Sequence, residues 1–346
     1  MDFSEIQKVN IFSISSDTMK IISDLHIHTN YSDGKLTPEE LIVKAKEIGL
    51  KQISITDHNN LGAIKSAKKK ARELGMNYIT GVEIDVKTEF KGELFHNHIL
   101  GYNFNEDNLK EFIHEVNLLN KKYFDKLVKN LRAFLAKKNF IFSESLIKFK
   151  EDIEVEVINS KSIIRDEYKR KYLRELDTEE LSFILSNKSL GPEIICRFIK
   201  NNLVKNPKKI TDTYPTTWKR LFFDNLKEVF EVPGVFYKTA LEAIEAIKNS
   251  GGIPVIAHPF LDELFWNENK KEIYIDFIGY LTGKGLNGLE IYYYSNDRYT
   301  KEEQEILNEK TQDLCRKYNL IHTCGSDCHG KNIFLGKFGS AEIISF

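Results

Sequence analysis

The stretch SDLHIHTNYSDGKLTPEE, residues 23–40, spends two of the chain's nine histidines one residue apart, at the end of a short apolar run. On a strand, side chains two apart share a face, so His26 and His28 can address one point from one side. Asp33 follows in a short polar loop, where a carboxylate beside Gly34 is equally a turn residue. A helix start comes next: Thr37 can cap, Pro38 suits the first helical position, and Glu40 can close a capping box. The stretch thus reads as a strand, a loop rich in metal-seeking side chains, and a helix.

The same unit recurs outward from it. KQISIT (51–56) reads as a strand, followed by a lysine-rich helix ending near Gly75, and NYITGVEI (77–84) and HNHILGY (96–102) as further strands. From about residue 104 to 236 the chain turns mostly helical and highly charged, without alternation. The alternation resumes with the helix TALEAIEAIKNSGG (239–252), glycine at its end, and the strands IPVIAH (253–258) and NGLEIYY (287–293). A helix from Lys301 to Tyr318 and a last strand LIHTCGSD (320–327) complete the series. Alternating strands and helices argue for a parallel α/β architecture, open or closed into a barrel, with chemistry at the carboxyl ends of the strands.

Metal-seeking residues fall at those ends six times. The runs end in His26 and His28 with Asp33 beyond, in Asp57-His58, in Glu83, in His98, in His258, and in Asp327 with His329. Each has an ordinary explanation alone: a hydrogen-bonded core histidine, a turn aspartate, a helix cap at Asp57, a lysine-paired Glu83. Together they are costly to bury unless something compensates them. Imidazole and carboxylate suit zinc, manganese and iron. Two or three such ions, bridged by a carboxylate such as Glu83, would bind phosphate oxygens and acidify a bound water. HTCGSDCH (322–329) offers a rival zinc site through His322, Cys324, Cys328 and His329, but would leave the other strand-end ligands unexplained.

Composition bounds the rest. With 346 residues, 41% hydrophobic and 29% charged, the chain has room for one large domain carrying an insertion. A net charge of −1 supplies no global field toward nucleic acid or membrane, so any basic surface must be local. Four unevenly spaced cysteines do not suggest a disulfide scaffold; with no signal-like start and no run long enough to span a bilayer, a cytoplasmic protein is expected.

The motifs DLHIHTNYSDG, ITDHNN, GVEID, HILGY, IAHP and GSDCHG, in that order, resemble those of the polymerase-and-histidinol-phosphatase (PHP) superfamily. The resemblance implies a distorted seven-stranded (β/α) barrel, residues 20–103 and 237–346, with a mainly helical insertion over 104–236. It implies hydrolysis of phosphate esters by attack of a metal-bound water, using two or three divalent ions (manganese, zinc or iron). Carried over, it puts His26, His28, Glu83 and Asp327 on one ion, Asp33, His58 and His258 on a second, and Glu83, His98 and His329 on a third. Asp57 would orient its neighbours, and Asp57, His258 or His329 would protonate the leaving group.

Within the superfamily, the insertion and AIKNSGGIPVIAHP resemble the branch acting on nucleotides and short nucleic acids, as phosphatases or 5′-end exonucleases. Where that branch shows an arginine-proline-histidine stretch, this chain has LGPEIICRF (190–198). From Arg197 to Arg220 seven cations stand against a single acid, Asp212, with Phe198, Tyr214 and Trp218 among them. Such a segment is either a solvated face balanced by ELDTEE (175–180) or a lid whose Arg197 and Lys208 hold a phosphorylated substrate. The expected partner is a phosphorylated small molecule, a nucleotide or a short nucleic acid, and no membrane. The alternatives are a phosphatase of a small metabolite such as histidinol phosphate and a non-catalytic module of the same fold. The sequence leaves the oligomeric state open.

Overall fold

Seven strands form a single sheet in chain order: β1 (Ser23–Asp24), β2 (Gln52–Ile55), β3 (Asn77–Phe90), β4 (Glu93–Tyr102), β5 (Ile253–Ile256), β6 (Gly288–Tyr292) and β7 (Ile321–Gly325). This computed structural model describes residues 20–137, 234–294, 299–330, 335–336 and 338–346. Beyond the sheet's two ends, the Leu25 N–H donates to the Cys324 carbonyl at 3.1 Å and Ile27 bridges Cys328 in parallel, so the barrel is nearly closed. Gly325 permits that approach: a Cβ there would sit 2.2 Å from the His26 Cβ.

The expectation of a parallel sheet needs one correction. β4 runs antiparallel to both β3 and β5, while every other neighbouring pair is parallel. The reason is local. Phe90 pairs with Glu93, and the intervening Lys91 and Gly92 both take positive φ (50° and 81°). A two-residue turn of that kind joins antiparallel strands, whereas a parallel pair needs a long crossover.

The anticipated helices form for the anticipated reasons. α1 (Pro38–Glu47) and α2 (Ile64–Glu73) follow the first two strands. At α1 the Glu40 N–H donates to the Thr37 hydroxyl (3.2 Å) and the Thr37 N–H to the Glu40 carboxylate (2.9 Å). α1 then buries Leu41, Ile42 and Ala45 in one core with Ile53 and Ile55 of β2 and Ala67 and Ala71 of α2. α3 (Glu106–Lys137) follows the hairpin. The capping boxes recur at α4 (Ala240–Asn249), through Thr239 and Glu242, and at α6 (Lys301–Tyr318), through Thr300 and Glu303. α5 (Glu268–Gly283) is an addition to the sequence reading; it buries Tyr274, Phe277, Ile278 and Leu281, the spacing of one helix face.

The chain divides into two compact units: Met1–Phe112 with Lys238–Phe346, and Ile113–Tyr237. The barrel occupies the first. In the second, Tyr123 packs on Phe236 and Tyr237. The basic segment with Arg197 and Lys208, expected to contact substrate, lies outside the described residues. Inside the barrel Leu25, Leu100, Tyr102, Val255 and Ala257 form a buried floor, and the Tyr102 hydroxyl donates to the Leu25 carbonyl at 2.9 Å. Among the described residues no helix is long and apolar enough to cross a membrane.

Candidate metal centre

His26 and His28 leave β1 with their ring nitrogens converging, Nε2 to Nε2 at 3.1 Å. Both aim at one carboxylate. Glu83 Oε2 lies 3.1 Å from His26 Nε2, 3.2 Å from His28 Nε2 and 3.3 Å from His58 Nδ1. The other oxygen, Oε1, lies 2.8 Å from His98 Nδ1 and 3.1 Å from His258 Nε2. Five imidazoles from four separate segments thus surround a single fully buried acid.

Glu83 and His98 reach this point from within long strands. Because β4 is reversed, the hairpin runs past the site: Asp85 pairs directly with His98, and β4's carboxyl end, Tyr102, lies back beside Gly81. Glu83 and Asp85 share a face of β3 by strand alternation. Asp85 was not among the expected ligands, yet its Oδ1 lies 3.0 Å from His58 Nδ1 and 3.3 Å from His98 Nε2.

The far side comes from turns after β5 and β7. His258 and Asp327 have positive φ (29° and 50°), conformations that cost non-glycine residues on the order of 1–3 kcal/mol and need external support. Glu290 supplies it at His258: one oxygen accepts the His258 N–H (2.9 Å), and the other contacts His26 Nδ1 (2.8 Å). At Asp327, the Tyr292 hydroxyl donates to Oδ2 (3.0 Å), while Asp24 anchors the preceding Ser326 through its N–H (3.0 Å) and hydroxyl (2.6 Å). Burial pushes Asp24 up to about 6 against those hydrogen bonds.

Among the described residues, four sets of donor atoms lie close enough together to hold an ion: His26, His28, Glu83 and Asp327; His28, Asp33, His58 and His329; His58, Asp85 and His98; Glu83, His98 and His258. The first is the set expected. The other two expected sets exchange members. His329 Nε2 sits 3.0 Å from Asp33 Oδ2, so His329 joins Asp33 and His58, while His258 joins Glu83 and His98. Distances across a barrel mouth are not written in motif order. None of these sets includes a cysteine, and burial pushes the Cys324 thiol well up, away from the thiolate that zinc requires.

Asp57 stands as a brace. Its Oδ1 accepts the Thr29 N–H (2.7 Å) and the Ser32 hydroxyl (2.6 Å), and its Oδ2 accepts the Thr29 hydroxyl (2.5 Å). It thereby fixes the loop that carries Asp33. With both oxygens engaged and almost no exposure, it serves the site through that loop.

The electrostatics fit a cation site. Burial opposes protonation of His26, yet Glu290, Glu83 and Asp327 together hold its imidazolium form well above the usual range. His58 is raised likewise, against burial, by Glu83, Asp85 and Asp33. Burial disfavours the Glu83 and Asp327 anions, but the surrounding histidines hold both well below the usual carboxylate range. Glu83 Oε2 nonetheless receives no properly directed hydrogen bond. Buried carboxylate oxygens and imidazole nitrogens facing one point form a donor set that suits a divalent metal ion.

Glu290 gives the first prediction. Gln in its place keeps the shape but cannot accept at both ends, so the His26 ring and the His258 turn each lose definition. Glu290→Gln is expected to weaken metal binding about 10–100-fold, the usual consequence of removing a group that orients a ligand. Competition against a chromophoric chelator measures it; unchanged affinity would count against this role.

Comparison with known proteins gives a consistent picture. Residues 24–178 match the model of the PHP domain. A 5'-3' exoribonuclease of Haemophilus influenzae is 26% identical over 321 residues, covering 90% of this chain and 94% of that protein. A phosphoribosyl 1,2-cyclic phosphate 1,2-diphosphodiesterase of Eggerthella lenta is 22% identical over 316 residues, covering 90% and 95%. A solved structure described as a metal-dependent phosphoesterase, from Bifidobacterium adolescentis, superposes with a TM-score of 0.56 at 20% identity, covering 92% of each chain. At that identity the likeness speaks for the fold.

Proposed function

We propose that this chain is a PHP-domain protein and a metal-dependent phosphoesterase acting on nucleotides or short nucleic acids, as a phosphatase or a 5′-end exonuclease. The observation that carries the reading is the convergence of five imidazoles on Glu83, with Asp33, Asp85, Asp327 and His329 completing the surround. His26, His28, Asp33, His58, Glu83, His98, His258, Asp327 and His329, with Asp85 added, would hold two or three ions of manganese, zinc or iron. Such ions, when bound, polarise phosphoryl oxygens and make water acidic enough to ionise near neutrality.

The protein's own contribution is placement. His98 and His329 are about a third exposed (33% and 31%), while His26, His28, His58 and His258 are almost enclosed, so substrate approaches from the side of the former pair. Of the three residues expected to handle the leaving-group proton, His329 is the most exposed, which favours it for that role. Asp57 and Glu290 act through the loops they hold. The barrel and the 104–236 insertion are proposed as separate modules, the second a candidate substrate lid through Arg197 and Lys208. The buried Cys315 and Cys324 suit a reducing cytoplasm.

Similarity of comparable extent to the Eggerthella lenta diphosphodiesterase supports a second reading, a phosphorylated small molecule as substrate. One assay separates the two. Manganese- or zinc-loaded protein is offered 5′-phosphorylated oligoribonucleotides, nucleotides, sugar phosphates, a cyclic phosphate and histidinol phosphate. Turnover of the first two groups is expected. Activity confined to the others would replace the nucleotide reading, and none at all would leave a non-catalytic module.

A further inference from the structure

Tyr31 stands between two ligand-bearing residues of the sequence, His28 and Asp33, and its side chain is 42% exposed. It is held there from two loops. Its N–H donates to the Thr29 hydroxyl (3.2 Å), which in turn donates to Asp57. Its carbonyl accepts from the Asn60 side-chain amide (2.7 Å), and the Asn60 side-chain oxygen accepts the Gly62 N–H (2.8 Å). The ring lies against Gly62, where a Cβ would come within 2.6 Å of the ring edge. Glycine at 62 therefore makes a seat for this ring that any larger residue would fill.

The position is specific. The loop after β1 carries Tyr31 two residues before Asp33; the loop after β2 carries Asn60 and Gly62 just past His58. Asp33 and His58 belong to one candidate ion set, so the ring is fastened to both loops that bring this set together. Other strongly exposed apolar side chains, such as Leu94 and Ile306, lie on the hairpin or on α6, away from these loops. A large ring, backed by Gly62, part-exposed and held on the two loops that carry Asp33 and His58, is the kind of platform on which a nucleobase stacks.

We infer that Tyr31 is a specificity-determining residue on which the base of a nucleotide substrate stacks, next to the phosphate being hydrolysed. The inference rests on the nucleotide reading and adds to it the element that tells a nucleotide from a base-free phosphate. The ring touches the base, not the reacting atoms, so it acts on KM and leaves kcat alone.

The test uses full-length, manganese-loaded wild type, Tyr31→Ala, Tyr31→Phe and Tyr31→Trp. Two substrate pairs are compared: AMP with ribose 5-phosphate, and 5′-phosphorylated trinucleotides with adenine or an abasic ribose at the first position. Tyr31→Ala is expected to raise KM for the base-bearing member of each pair about tenfold, with kcat within about twofold and the base-free member unchanged. Tyr31→Phe and Tyr31→Trp restore the wild-type KM. Metal content by elemental analysis stays at the wild-type level in all variants. Wild type that turns over nucleotides and is matched by Tyr31→Ala overturns the inference alone. So does a KM rise equal for both members, or a loss of metal. Wild type that turns over base-free phosphates and no nucleotide overturns the functional reading and this inference with it.

Discussion

Glu83→Gln should lower turnover at least about 10³-fold, because among the carboxylates of the four candidate ion sets this is the one that belongs to two. Its two oxygens face five imidazole nitrogens between 2.8 and 3.3 Å away. Glutamine keeps the volume but turns one oxygen into a donor and removes a charge that no neighbour replaces. Whichever oxygen is converted, a set loses a ligand: Oε2 faces His26, His28 and His58, and Oε1 faces His98 and His258. Bound metal measured by elemental analysis should therefore fall by at least one ion per chain, while the circular dichroism spectrum persists. A variant with wild-type metal content and turnover within tenfold of wild type would show that Glu83 is a structural acid and that the centre lies elsewhere.

How far this centre is legible in the sequence follows from how each residue is delivered. His26, His28, Asp57, His58, His258, Asp327 and His329 stand where short apolar runs stop, and the periodicity that marks a strand marks its end as well. Glu83 and His98 were expected at run ends as well, but they sit within β3 and β4, which run on past the site. Asp85 was within reach of the same logic, since GVEID puts it two residues beyond Glu83 on the same face. Glu290 was not: β6 is buried along its whole length, so NGLEIYY has no polar face against which an inward acid stands out. The direction of β4 hinged on Lys91-Gly92, a weaker turn signal than asparagine-glycine. The exchange of His258 and His329 between ion sets is a matter of distances across the barrel mouth, set by turn geometry at φ values that no motif records.

Stripping the ions should abolish turnover and lower the melting temperature, and the loss should deepen as pH rises. A ligand present at about 1,000 times its Kd stabilises by about 4 kcal/mol. At roughly 2–4 °C per kcal/mol for domains of about 150–250 residues, each tightly held ion is worth on the order of 10 °C. The pH dependence comes from the metal-free protein. Burial opposes a charge on His329, but Asp327 and Asp33 raise it to about 9, against about 6.5 in the unfolded chain. His26 and His58 are raised in the same direction. A raised imidazole contributes stability that is fully present below about 6.5 and disappears as pH climbs through its folded value. Glu83, Asp327, Asp33 and Asp85 are all held below the usual carboxylate range, so they stay ionised throughout and add no slope in this window. Ion binding needs neutral imidazoles, so it strengthens over the same interval in which imidazolium–carboxylate pairing fails. The difference in melting temperature between loaded and chelator-stripped protein should accordingly widen from pH 6.5 to pH 9, and manganese or zinc returned at pH 8 should restore both stability and turnover. A difference that narrows toward pH 9 would mean that these histidines pair with the acids for folding alone and do not exchange them for metal.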